Sequence, residues 1–295
     1  MTTNPQTTAA IRPDWLSQDV YPFELRSIDL AGETVTYVDE GEGPPLLFVH
    51  TGMWSFIFRD VIVRLRDDFR CIALDFPGYG LSPDPAGDDL GLDTQSSLLG
   101  RFVDALRLSD VTLVLHDLGG LVGMGFAADQ PDRVRAIVMA NTFVWKPEGR
   151  ALTTMLRIMA SRPLAAFDRL TGLVPRLTAT SSGVGRHLDK VERRAFLEPF
   201  QQRGRIGRFH SSMGDALVAE ALWTRIESAL AAGLAERPVL TIFGEKNDPF
   251  RFQERHHATF ANHESLVIEG GNHFPMMDDP DRFAAKLREW WNRAV

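Results

Sequence analysis

Leu113-Val114-Leu115-His116-Asp117-Leu118-Gly119-Gly120 is an apolar run that ends on a carboxylate and continues into two glycines. It reads as a buried strand, a sharp turn and the start of a helix, with Asp117 at the turn. Small residues after such a turn let the helix approach the strand. Serine at this point suits attack on acyl carbonyls. A carboxylate instead displaces a leaving group from an sp3 carbon, forming an alkyl ester that water then cleaves. The competing reading is structural: Asp is a favoured helix N-cap.

Outward from this elbow the chain alternates short apolar strands with helix-length segments. Residues 34–38 alternate polar and apolar, as a half-buried strand does. Residues 46–49, 69–74, 111–115, 136–140 and 238–243 are continuous apolar runs, and 265–268 is a further strand. Helix-length stretches lie at 94–108, 120–129 and 281–293. This order predicts an α/β fold: a mostly parallel sheet, helices on both faces, and an antiparallel edge made by the opening strands. Ligands bind at the carboxyl ends of such strands. Residues 146–235 break the alternation. They are rich in Arg, Ala and Leu and lack strand-like runs, with their clearest helices at 152–159 and 215–223. We read them as a helical cap inserted into a core made of 1–145 and 236–295.

Two further residues complete a chemical set. His273 follows a strand within Gly270-Gly271-Asn272-His273, where a base is placed to activate the hydrolytic water. Asp248, just past the strand that follows the cap, is the candidate acid to orient His273, with Glu245 as competitor; Asn141, after the preceding strand, carries no charge. The order Asp117, Asp248, His273 is nucleophile, acid, base. Thr51, Gly52 and Leu118 are expected at the oxyanion or leaving-group site, and Trp54, Trp145 and Trp223 are candidate pocket residues.

Composition narrows the partners. The net charge is −7 and no Lys/Arg block stands out, so neither nucleic acid nor a membrane is expected as partner. No run has the roughly 18 apolar residues of a membrane span. The polar start of the chain lacks signal-peptide character, and its first dozen or so residues are expected to be loosely ordered. Cys71 is the only cysteine, which excludes an internal disulfide and fits a cytoplasmic setting. His256, His257 and His263 read as an exposed helix–loop surface. No metal site and no nucleotide-binding glycine motif is visible. No cofactor is expected, since hydrolysis by this route needs only water. The expected partners are a small apolar organic substrate and water, in a monomer or small homo-oligomer.

Residues 20–295 resemble the haloalkane dehalogenase family of α/β-hydrolases. The resemblance rests on Tyr21-Pro22-Phe23-Glu24, Tyr37-Val38-Asp39-Glu40-Gly41, Trp54-Ser55-Phe56-Ile57-Phe58-Arg59-Asp60, the His116-Asp117 elbow and Asn141-Thr142-Phe143-Val144-Trp145. It implies cleavage of a carbon–halogen bond through an Asp117 ester. Two departures stand out. The family's halide-binding Trp after the nucleophile is Leu118 here, and its second donor, Asn, falls at Thr51 or Gly52. Losing one well-placed transition-state donor costs on the order of 3 kcal/mol. Three alternatives therefore stay open: a hydrolase of a bulkier ester or natural product, an epoxide hydrolase, and a non-catalytic binding protein. The epoxide route needs an acidic tyrosine in the cap, and Tyr21, Tyr37 and Tyr79 all lie outside it.

Overall fold

Nine strands form one sheet in the computed structural model, which describes residues 6–87, 90–202 and 204–295. They are β1 (Thr7–Ala9), β2 (Arg26–Leu30), β3 (Glu33–Glu40), β4 (Pro45–Val49), β5 (Arg70–Asp75), β6 (Val111–His116), β7 (Val134–Ala140), β8 (Val239–Gly244) and β9 (His263–Ile268). Their order is β1-β2-β3-β5-β4-β6-β7-β8-β9. The β1–β2, β2–β3 and β3–β5 pairs are antiparallel, and every pair from β5 to β9 is parallel. The expected antiparallel edge is thus present. β1 corrects the expectation of a loose start: Thr7, Thr8 and Ala9 pair with Ile28, Ser27 and Arg26. Residues 1–5 lie outside the described part.

Burial explains the strand chemistry. Every residue of β6 and of β8 is buried, as expected when helices cover both faces of a parallel sheet. The helices Leu92–Ala105, Gly119–Asp129 and Pro280–Ala294 supply part of that cover. Gly119–Asp129 is buried along almost its whole length, so it has no polar face.

Between β7 and β8 the described residues form helices and turns. The longer helices are Arg150–Met159, Arg162–Thr171, Lys190–Leu197, Arg205–Asp215 and Glu220–Ala231. The helix expected at 215–223 is really two. Arg205–Asp215 stops, Leu217 and Val218 N–H return to Gly214 and Asp215 carbonyls, and a new helix starts at Glu220. The apolar run had merged the end of one helix with the start of another. Lys190–Leu197 begins with a capping box, Asp189 accepting from Val191 and Glu192 N–H while Glu192 accepts from Asp189 N–H. His210 ties three helices together, its Nδ1 hydrogen-bonded with Met159 O and its Nε2 2.9 Å from Asp168 Oδ2.

Candidate active site

At the end of β6 the backbone turns so sharply that Asp117 takes φ of 51°. This is the left-handed region, uncommon for a residue with a side chain, and it persists only where the surroundings hold it. Thr142 Oγ1–H and Gly120 N–H both donate to the Asp117 carbonyl. A Cβ on Gly119 would lie 2.4 Å from Val49 O, and one on Gly120 1.9 Å from Thr142 Oγ1. Glycine at both positions is therefore what lets the helix close on the strands and lift the carboxylate out of the turn.

His273 reaches the same point from the loop after β9. Its Nε2 lies 3.4 Å from Asp117 Oδ2. Its loop is pinned twice: Asn272 N–H donates to Asp278 Oδ2 at 2.6 Å, and His116 Nε2–H donates to His273 O at 2.7 Å. On the other side of the ring, Nδ1–H donates to Asn247 Oδ1 at 2.9 Å. Asn141 Nδ2 donates to Asn247 O at 2.7 Å and to Oδ1 at 3.2 Å, and Gly244 N–H donates to Asn141 Oδ1 at 2.9 Å. Two donors converge on Asn247 Oδ1. That fixes the carboxamide oxygen toward His273 and leaves Nε2 free to accept a proton.

Asp248 does not hold this position. Its carboxylate accepts from Phe252 N–H at 2.7 Å and Gln253 N–H at 3.0 Å, satisfying the open N–H groups at the start of helix Phe252–Thr259. Glu245 accepts from Gly270 N–H at 2.7 Å instead of from His273. The group that orients the imidazole is the neutral side chain one residue before the expected acid. No sequence signal chose it over Asp248, since both are polar residues of the loop that follows Gly244, the last residue of β8.

The electrostatics separate three clustered histidines. Burial pushes His50 down to about 3, helped by nearby His273, and burial holds His116 well below the ordinary imidazole value. Both stay neutral, stacked 4.9 Å apart, with His116 4.8 Å from His273. Burial alone would raise the Asp117 carboxyl. A proton on His273 Nε2, through its hydrogen bond and charge, outweighs it together with the Leu118 N–H and leaves Asp117 below the usual carboxylate range. Asp117 is therefore ionised at neutral pH, the state a nucleophile requires.

Asp117, Leu118, Asn141, Asn247 and His273 open into a cavity of about 470 Å³. Its wall is apolar, with Met155, Leu156, Leu177, Phe209, Met213 and Phe250 prominent. The expected leaving-group residues divide here. Leu118 lines the cavity, but the buried Thr51 hydroxyl donates to Gln95 Oε1 at 2.6 Å. Gly52, at φ of 90°, lies under the Phe209 ring, which a Cβ would meet at 2.9 Å. None of the three expected tryptophans lines the cavity. Trp54 Nε1–H donates to Phe196 O at 3.1 Å, Trp145 packs at a tilt against His256 with ring centres 4.6 Å apart, and Trp223 packs under Lys146. Large side chains at element ends were packing residues. His256 is also corrected: it is fully buried and donates to Thr142 O at 2.9 Å. All three tyrosine hydroxyls are engaged elsewhere, with Thr7, Ser55 and Ser212.

A model described as the alpha/beta hydrolase family matches residues 46–286. Haloalkane dehalogenase 2 of Mycobacterium tuberculosis is 36% identical over 276 residues, covering 92% of this chain and 96% of its own. A cis-3-alkyl-4-alkyloxetan-2-one decarboxylase of Shewanella oneidensis is 34% identical over 193 residues, 61% of this chain and 58% of that protein. Among solved structures, the haloalkane dehalogenase DatA of Agrobacterium tumefaciens shares the fold. Its TM-score is 0.79 over 92% of this chain and 97% of that one, at 22% identity. By sequence relationship along its length, the chain belongs to the haloalkane dehalogenase family of α/β hydrolases.

Proposed function

We propose that this enzyme cleaves a carbon–halogen bond in an elongated apolar substrate, with Asp117 as nucleophile and His273 as base. The observation that carries this reading is the Asp117–His273 pair, 3.4 Å apart, at the floor of the apolar cavity. An Asp117 carboxylate oxygen bonds to the sp3 carbon and halide departs with the bonding electrons. A water then adds to the ester carbonyl of Asp117 while His273 Nε2 takes its proton. Collapse expels the alcohol, which regains that proton. Asn247 and Asn141 hold the ring in the required tautomer. Residues 146–235 act as the cap that closes the cavity, and the compartment is the cytoplasm, which suits a lone buried Cys71.

A second reading has a specific observation behind it. Among the described residues lining the cavity, no side chain of Trp type faces the nucleophile, and Thr51 donates elsewhere. A halide expelled here lacks the indole donor that the family resemblance implies. A leaving oxygen in a strained ring carries its own driving force. This is the ring type in the name of the Shewanella relative. The two readings separate in one experiment. Bromoalkanes of increasing chain length and a dialkyl oxetan-2-one are supplied to the wild type and to His273→Phe. Halide release, with an alkyl mass adduct on Asp117 in the variant, supports the first. Turnover of the oxetanone without halide release replaces it with the second. Absence of turnover on both sinks the pair.

A further inference from the structure

We propose that the outer face of the cap, formed by 150–177, docks on an anionic lipid surface and that the mouth of the cavity opens within that face. The helix Arg150–Met159 buries Leu152 and Leu156 and leaves Ala151, Met155 and Ile158 outside, at i, i+4 and i+7. The helix Arg162–Thr171 buries Ala165 and Asp168. It leaves Pro163, Ala166, Phe167 and Leu170 outside, at i, i+3, i+4 and i+7. Leu173 and Leu177 of the next helix continue the exposed apolar surface. Leu170 is 88% exposed, Ile158 57% and Phe167 52%. Each helix thus leaves an apolar stripe in solvent beside the side it buries.

The polar residues beside these stripes have one sign. Arg150 and Arg157 are seven residues apart, as are Arg162, Arg169 and Arg176, and all five are exposed. The only acid between 149 and 188 is Asp168, which is buried and turned inward to His210. Whole-chain charge, −7, conceals this face. No described helix is long and apolar enough to cross a membrane, so the contact is peripheral. Apolar residues that sink to the headgroup boundary, ringed by arginines that meet anionic lipid, match such a surface. A second copy meeting this face with its own would set five arginines against five.

The placement has a consequence for the substrate. Met155 and Leu177 belong both to the outer face and to the cavity wall. An apolar molecule dissolved in the bilayer reaches Asp117 along apolar surface. The docking does not depend on which leaving group Asp117 expels.

The test is co-sedimentation of the full chain with vesicles of phosphatidylcholine alone and of phosphatidylcholine with roughly one-third phosphatidylglycerol. Binding to the anionic vesicles at low salt, and release as salt rises, is the expected result. The double variants Phe167→Glu with Leu170→Glu and Arg162→Glu with Arg169→Glu should each weaken it by at least about tenfold, with unchanged thermal melting. Asp117→Ala should bind as the wild type does. Three results overturn the proposal: no sedimentation with anionic vesicles, equal binding by both double variants, or equal binding to the neutral vesicles. A lipid-free dimer abolished by Phe167→Glu with Leu170→Glu overturns it too, in favour of a second copy.

Discussion

The segment we propose as a cap and the core around it solve opposite problems with the same amino acids. Residues 146–235 carry 14 Lys and Arg against 8 Asp and Glu, whereas the remainder carries 18 against 31. In the core, the polar groups around Asp117 are paired and aimed: His273 on Asn247, Asn247 on Asn141, Asn141 on Gly244. On the outer cap, arginines and apolar side chains face solvent. A paired network in a rigid sheet fixes geometry, which chemistry needs. An unpaired amphipathic surface fixes what the molecule meets. The core should therefore set whether a substrate reacts, and the cap which substrate arrives.

The largest effect should come from the core and be indifferent to substrate. Asp117→Ala is expected to lower turnover by on the order of 10⁴-fold or more for every substrate tried. Steady-state rates on short and long haloalkanes check it. Near-normal turnover of even one substrate by this variant would break the division between the regions.

Acid should damage the core next. His50 and His256 are pushed by burial to about 3, from an ordinary value near 6.5. Such depressed groups contribute stability that is present above pH 6.5 and lost as pH falls, because the unfolded chain takes up protons that the folded one refuses. Asp75 works the other way. Burial raises it to about 6, so its contribution is present at low pH and lost as pH rises through that value. It offsets part of the histidine term. From these three groups the loss between about pH 7 and about pH 5 is on the order of 3 kcal/mol, and His116 and His263, both lowered chiefly by burial, add to it. Urea melts across that range measure it, and His256→Phe should flatten the curve. A stability that stays level to pH 5 would mean these rings are hydrated in solution.

Asn247 sharpens the comparison within the core. Asn247→Asp keeps the acceptor for His273 Nδ1–H and adds a charge beside the imidazolium that forms when water is activated. Hydrolysis of the Asp117 ester is expected to accelerate by about tenfold, with the alkylation step unchanged. Single-turnover kinetics separate the two steps. An unchanged second step would show that orientation alone is what His273 draws from this position.

The sequence carried Asp117 and His273 because both sit where an apolar run meets glycine, a local pattern with one geometric outcome. It carried the mostly parallel sheet with its antiparallel edge through the same kind of local pattern, whereas the strand order came only with the structure. Asp248 and Asn247 are adjacent polar residues in one loop, and which faces His273 depends on where helix Phe252–Thr259 starts and which side chain caps it. No spacing rule resolves a one-residue choice of that kind. The tryptophans failed differently. Their indoles are placed by contacts far along the chain, Trp54 with Phe196 and Trp223 with Lys146, so residue type alone gave no direction. In the cap, whole-chain charge averaged away a surface that only folding separates.

The smallest effect should belong to the mouth. Leu177 is exposed and also lines the cavity, so enlarging it narrows the passage without touching Asp117. Leu177→Trp should leave stability within about 0.5 kcal/mol, since the side chain projects outward. It should raise KM for long bromoalkanes by roughly threefold to fivefold, about 1 kcal/mol, while short ones keep their kcat and KM. The chain-length series is the measurement, because a change at the nucleophile would alter kcat for all members together. If KM moved equally for short and long substrates, the passage would lie elsewhere along the cap. If kcat fell throughout the series, the cap wall would be part of the machinery that positions His273 and Asp117, and the separation of the two regions would fail at its narrowest point.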